Sequence, residues 1–202
     1  MRYMVTHSLL SSWLYAMKDN PYEDMTTERD YFQEFLTVLK REPTETTEAM
    51  RNGIEFEDLV TDILNGDADK DHSWYNAAAA VAKKVSGGLA QFRAKAETEI
   101  DGIRVLLYGR LDWLRAGVIY DTKFSKSYDR GKYYDSTQHP MYFALIPEAT
   151  EFVYIVSNGT DVWTEPYRRD EAADIREIIS CFFSWLKDNG LFEIYKEKWV
   201  AA

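Results

Sequence analysis

The sequence predicts an α+β fold, a mixed β-sheet flanked by helices, and three observations lead there. Roughly residues 1–90 carry apolar side chains at helical spacing. From about residue 94 to residue 124 the pattern changes to strand-like alternation around short turns. A helix, a second hairpin and a long amphipathic helix follow, so that helices flank a sheet of mixed strand direction.

The elements read in order. A first helix is expected from Thr6 to Lys18, with Leu10, Trp13, Leu14 and Met17 on one face and Pro21 beyond its end. A second runs from Thr27 to Lys40 on the stripe Phe32, Phe35, Leu36 and Leu39. A third runs from Thr47 to Leu64 and closes at Asn65-Gly66, and a fourth from Ser73 to Val85 stops at Gly87-Gly88. Ala94 to Ile100, Ile103 to Leu114 and Val118 to Phe124 read as strands, the first two joined by the hairpin turn Asp101-Gly102. A helix is expected from Ser136 to Ile146, where Pro140 is tolerated in the first turn. Phe152 to Ser157 and Val162 to Tyr167 form a hairpin around Asn158-Gly159. Helices from Asp170 to Asp188 and from Phe192 to Trp199 finish the chain. The whole of 1–202 is expected as one domain, with a helical N-terminal region over residues 1–90 and a sheet-containing core over residues 91–202.

Composition narrows the function classes. Hydrophobic residues make up 46% and aromatics 15%, enough for a sizeable core and against disorder. The single cysteine, Cys181, permits no internal disulfide and no cysteine-ligated iron–sulfur or zinc centre, and its apolar surroundings Ile178, Ile179, Phe182 and Phe183 place it in the core. The start of the sequence lacks a signal pattern and no apolar run is long enough to span a bilayer, so a soluble, cytoplasmic protein without a membrane partner is expected. A net charge of −10 counts against a nucleic-acid binder at first sight. Binding depends on the local field, however, and a site that works through a divalent cation needs acids.

The chemistry concentrates in Gly109 to Lys123. With a turn centred on Ala116-Gly117, Asp112 falls opposite Asp121, Leu114 opposite Ile119 and Arg110 opposite Lys123. Opposed residues share a face with Cβ atoms about 4.5–5.5 Å apart, and Lys123 projects to the same face as Asp121. Opposed carboxylates repel, which suits a structural sheet badly. A divalent cation converts the repulsion into attraction, and a lysine beside it offsets developing phosphate charge. A third acid, Glu57, falls on the helical stripe of Met50, Ile54, Val60 and Leu64, whereas Glu55, Asp58 and Asp62 point away. A carboxylate on a core face needs a partner, either a cation or a buried arginine or backbone donor.

In this order the residues resemble the PD-(D/E)XK nuclease superfamily, its RecB-like and phage-exonuclease-like branch above all. Gly53-Ile54-Glu55-Phe56-Glu57 is similar to the helical motif of that branch, Gly109-Arg110-Leu111-Asp112 to its metal-binding strand, Asp121-Thr122-Lys123 to its catalytic strand, and Gln138-His139-Pro140-Met141-Tyr142 to its downstream helix. Ser8-Leu9-Leu10-Ser11 is similar to its serine-containing first helix. The similarity covers roughly residues 6–157. It departs in holding Glu57 where many members have histidine, in lacking the proline before Asp112, and in having no cysteine cluster.

The resemblance implies a restriction-endonuclease-like core with extra N-terminal helices. It implies a Mg²⁺- or Mn²⁺-dependent deoxyribonuclease, an exonuclease of phage-type recombination or repair. Asp112, Asp121 and Glu57 would bind metal, Lys123 would act on the attacking water, Gln138 would organise the site, and Tyr142 and Ser8 would contact the substrate strand. It leaves room for a second copy of the chain or a recombination protein as partner. The alternative is the same fold holding nucleic acid without cutting it. From Lys123 to Tyr134, the bases Lys123, Lys126, Arg130 and Lys132 interleave with Tyr128, Tyr133 and Tyr134, a stretch able to track phosphates and stack bases or simply a solvated loop. The histidines His7, His72 and His139 fall in no catalytic or metal-binding spacing, His139 reading as a surface or helix-start residue, and no phosphate-cradling glycine loop is present.

Overall fold

A computed structural model describes residues 1–17 and 30–201. Its elements are β1 (Tyr3–Thr6), α1 (His7–Met17), α2 (Tyr31–Leu39), α3 (Glu48–Asn65), α4 (Tyr75–Val85), β2 (Leu89–Ile100), β3 (Ile103–Arg115), β4 (Val118–Phe124), α5 (Gln138–Leu145), β5 (Glu151–Ser157), β6 (Val162–Arg168), α6 (Ile175–Asp188) and α7 (Phe192–Lys198). This is an α+β arrangement with a mixed sheet flanked by helices. Local chemistry sets most boundaries. Asp30 caps α2 by accepting from the Gln33 amide at 2.9 Å, and Thr47 caps α3 by accepting from Met50 at 3.2 Å. Gly66 ends α3 in the left-handed region at φ 85°. The expected first-helix end at Lys18, Pro21 and the second-helix start at Thr27 lie outside the described residues.

The six strands form one sheet in the order β1-β3-β4-β5-β6, with β2 also on β3. Both hairpin turns on β3 place two consecutive residues at positive φ: Asp101 and Gly102 at 52° and 74°, Ala116 and Gly117 at 49° and 79°. The second turn therefore sits where the sequence places it, with an alanine in a region that alanine rarely adopts. The pairs Leu114↔Ile119 and Trp113↔Tyr120 keep the expected register. One helical layer, α1, α2, α5, α6 and α7, packs on one sheet face around Leu9, Phe35, Phe152, Tyr154 and Phe182. The other face is covered by α3 and α4 around Phe56, Val60, Val81, Trp113 and Ile155.

Several expectations change. Tyr3–Thr6 forms a strand, parallel to β3, so the N-terminal region contributes to the sheet as well as to the helices. The expected long helix from Asp170 starts only at Ile175, after a 3-10 turn at Arg169–Glu171. Cys181 is exposed, not core: Ile175, Ile179, Phe182, Phe183 and Leu186 form the buried stripe of α6, and position 181 falls on its other side. Met50 and Ile54 are exposed as well, and the buried stripe of α3 is Phe56, Leu59 and Val60 with Glu57 at its border. Among the described residues no helix is long and apolar enough to cross a membrane.

Candidate active site

The sheet opens at one place. β2 runs along one edge of β3 over most of its length, so β1 and β4 share the opposite edge. β1 pairs with residues Val105 to Tyr108, and β4 only with Trp113 to Arg115. Gly109, Arg110, Leu111 and Asp112 are left without a strand partner on that edge. The carboxyl ends of β1 and β4 run toward each other along β3 and meet at this gap. The expected pairs Asp112 with Asp121 and Arg110 with Lys123 therefore do not form as ladder pairs: the strands separate one step earlier. Asp112 bridges the parting strands with its side chain, accepting from the Thr122 amide at 2.8 Å. Regularity fails on the β2 side too, where Gln91, between Ala90↔Trp113 and Phe92↔Leu111, takes φ 51° and is unpaired.

A cleft of about 330 Å³ lies over the gap, and its lining includes Glu57, Asp112, Asp121, Lys123, Gln138 and Arg110. Each comes from a different local cause. Asp121 and Lys123 alternate on β4 and face the α5 layer, as Tyr154 and Val156 beside them on β5 do. Gln138 opens α5 and its Nε2 donates to Asp121 Oδ1. Lys123 Nζ stands 2.7 Å from Asp121 Oδ2 as an ion pair. Glu57 reaches the cleft from α3.

The electrostatics are those of crowded acids around one cation. Burial, then the Asp121 carboxylate, raise Glu57 to about 7, with Lys123 and Arg110 opposing. Burial, then Asp121 and Glu57, hold Asp112 well above the usual carboxylate range against the Thr122 amide. Burial disfavours the Lys123 ammonium, but Asp121 and behind it Asp112 outweigh that and hold it above its ordinary value. Groups displaced this way in a cleft make it a candidate functional centre.

Two further residues reach the site that the sequence reading named without assigning them a role there. His7, at the junction of β1 and α1, lines the cleft; its ring stands edge-on to Tyr142 and its Nδ1 is buried without a hydrogen-bond partner. Burial, then the Lys123 charge, lower it to about 3, so it is neutral near pH 7. Arg110, whose charge acts on Glu57, is the other. No sequence signal marked His7, because it becomes a site residue only through the strand pairing of Tyr3–Thr6.

Other expected residues divide. Ser8 is exposed on the cleft rim. Tyr142 is buried, its hydroxyl donating to the Arg110 carbonyl at 2.9 Å, so it wedges α5 against the unpaired stretch of β3 while it lines the cleft. Lys132 lines a neighbouring cleft that also contains Lys123, whereas Arg130 lines a separate one beside Trp163, and Lys126 is exposed outside both. The segment carrying them is held by Glu165 on β6. This carboxylate accepts from Tyr128 Oη at 2.6 Å, from the Gly131 amide at 3.2 Å, from the Tyr133 amide at 3.4 Å and from Tyr167 Oη. Burial opposes its charge, but these four donors outweigh it and lower the carboxyl. His139 is a buried residue and not a surface one: it stacks on Tyr167 at 4.3 Å and its Nδ1 lies 3.3 Å from Tyr154 Oη.

The donor set suits a hard divalent cation in its chemistry: three carboxylates in one cleft, two of them driven toward protonation by burial and then by their acidic neighbours. Asp121 Oδ2 is buried and paired with the Lys123 ammonium at 2.7 Å. Yet among the described residues no three acidic, histidine or cysteine side chains are gathered at ligand distance. Coordination at one point therefore requires the carboxylates to turn toward it.

No protein-family model and no curated protein matches this chain. Among solved structures it is similar to the crystal structure of SSO0001, with a TM-score of 0.52 and 14% identity over 94% of this chain and 78% of that one. At that identity the likeness is one of fold, a mixed sheet flanked by helices.

Proposed function

We propose that this chain is a divalent-metal-dependent nuclease of the PD-(D/E)XK type, on a restriction-endonuclease-like core, that hydrolyses DNA phosphodiester bonds. One observation carries the reading: Glu57, Asp112, Asp121, Lys123 and Gln138, from four separate elements, meet in one cleft where the sheet opens. Asp112, Asp121 and Glu57 would hold the cation. When bound, Mg²⁺ or Mn²⁺ polarises a phosphoryl oxygen and makes water a better nucleophile at neutral pH.

The protein's own groups account for the rest. Gln138 fixes the Asp121 carboxylate through Oδ1, leaving Oδ2 toward Lys123. The Lys123 ammonium, kept charged by its acids, can donate to the attacking water or to a non-bridging phosphate oxygen, whose charge grows in the transition state. Arg110 adds a second positive charge to the same wall. The water oxygen forms the new P–O bond and gives up a proton to solvent, the ester P–O bond breaks, and the departing oxygen takes up a proton from solvent, so that no net proton is consumed.

A second reading, nucleic-acid holding without cleavage, has one observation on its side: the three acids are not gathered around a single point. Digestion of closed-circular and end-labelled linear DNA with Mg²⁺, Mn²⁺ or EDTA separates the two. The nuclease reading expects metal-dependent hydrolysis that Asp121→Asn abolishes, and an exonuclease spares the circle. Binding of DNA with no hydrolysis under any metal establishes the second reading instead.

A further inference from the structure

Beside the acidic cleft lies a second one of about 500 Å³, which shares His7, Lys123 and Gln138 with it. We propose that this second cleft is a pocket for one unpaired nucleotide adjoining the scissile phosphate, so that the substrate is single-stranded nucleic acid or a frayed or overhanging end. The proposal rests on the nuclease reading for its substrate and deepens it.

Size argues first. The volume falls within the ~300–1,000 Å³ typical of small-molecule sites, room for a nucleotide and far too little for a duplex. A paired base, locked edge to edge with its partner, cannot enter a side slot without leaving the stack.

The chemistry of the walls argues second. The apolar lining includes Leu14, Tyr15, Met17 and the ring of Tyr133, which is held flat against buried Tyr154 at 4.3 Å and 16° and so costs little further ordering when a base meets it. Two cations flank this wall, Lys123 at the inner end shared with the acids and Lys132 on the segment clamped by Glu165. A phosphate on either side of one nucleotide thus finds a lysine, in a protein whose net charge is −10. The exposed Asp135 carboxylate, also on the wall, repels phosphate and suits the amino edge of a base instead. Ser11 faces this space from α1, and its small side chain keeps it open.

Continuity argues third. A chain whose phosphate sits between Asp121 and Lys123 must lead its next nucleotide somewhere, and the shared residues His7, Lys123 and Gln138 make this cleft contiguous with the acids.

The test is fluorescence anisotropy of labelled oligonucleotides in Ca²⁺: single-stranded DNA, duplexes with either overhang, a blunt duplex, and an overhang with an abasic terminal residue. Wild-type protein is expected to bind unpaired ends about tenfold or more tighter than blunt or abasic ends, the scale of one stacked base. Ser11→Trp, at a half-buried helix position, fills the pocket and is expected to erase that preference while its thermal melting stays near wild type. Tyr133→Leu, which keeps an apolar side chain and removes the ring, gives the same loss by an independent route. Equal affinity for blunt and unpaired ends, or a preference that survives both variants, overturns the pocket. If the preference holds but no DNA is hydrolysed with Mg²⁺ or Mn²⁺, the nuclease reading fails and the pocket stands.

Discussion

Gly109 sits where α5 presses closest on the unpaired stretch of β3, and Gly109→Ala tests that architecture directly. A Cβ built there lies 2.5 Å and 3.1 Å from two ring carbons of Tyr142 and 2.8 Å from Leu145 Cδ1. Carbon atoms prefer about 3.5–4.0 Å, so Tyr142 must retreat by about 1 Å. It has little freedom to do so: it is buried, its hydroxyl is bonded to the Arg110 carbonyl, and its ring packs against Phe152. Overpacking of this kind costs about 1–3 kcal/mol, and at ~2–4 °C per kcal/mol for a chain of this size the melting temperature should fall by about 2–12 °C. Because α5 also carries Gln138, which fixes Asp121, turnover should fall beyond what lost stability explains. The assay is a double-mutant cycle by urea unfolding with Tyr142→Ala as the second substitution. Truncating Tyr142 alone should cost about 3–5 kcal/mol; with the ring gone only Leu145 Cδ1, 2.8 Å away, still opposes the added methyl and can turn into the vacated space, so the methyl at 109 should cost less than in the wild-type background. An equal cost of Gly109→Ala in both backgrounds refutes the close-approach argument.

Lys123→Ala should lower single-turnover cleavage by about 10²–10³-fold with DNA affinity little changed; a near wild-type rate at saturating metal makes the lysine structural. The raised Glu57 carboxyl means that the folded state binds more protons than the unfolded one between about pH 4.5, its ordinary value, and about pH 7, so its contribution lowers stability as pH rises through that window, and the raised Asp112 carboxyl acts in the same direction. His7, lowered to about 3, works oppositely and loses stability as pH falls below its ordinary 6.5. The clean readout is therefore the gain in melting temperature on adding Mg²⁺ or Mn²⁺, expected to be larger at pH 8 than at pH 5; an equal gain at both removes the acids from the binding site. Glu165→Ala strands four donors, should cost about 2–4 kcal/mol, and should speed trypsin cleavage after Arg130 and Lys132; unchanged cleavage there means the segment is held by other contacts.

Much of this site was legible before any folding was known. Alternation on β4 places Asp121 and Lys123 on one face, and the register through Ala116-Gly117 holds for the first three pairs. Helical periodicity set Glu57 apart from Glu55 and Asp58, which are exposed, although it erred on Met50 and Ile54. Period and capping chemistry are local properties, carried by neighbours in the chain, and so they read directly from sequence.

What only the tertiary structure decided is where β3 and β4 part. Nothing in Asp112 or Asp121 says that their strands separate one residue before they meet. That depends on Tyr3–Thr6 claiming a stretch of the β3 edge and on Tyr142 filling the space beside Gly109. His7 and the Glu165 clamp are of the same kind, each set by contacts with residues far away in sequence. The residue types that can do chemistry were determined by the sequence itself, because their ligand preferences and charges travel with the side chain. Their assembly into one cleft was decided by long-range packing, because a gap in a sheet exists only once the strands on either side of it have found their partners.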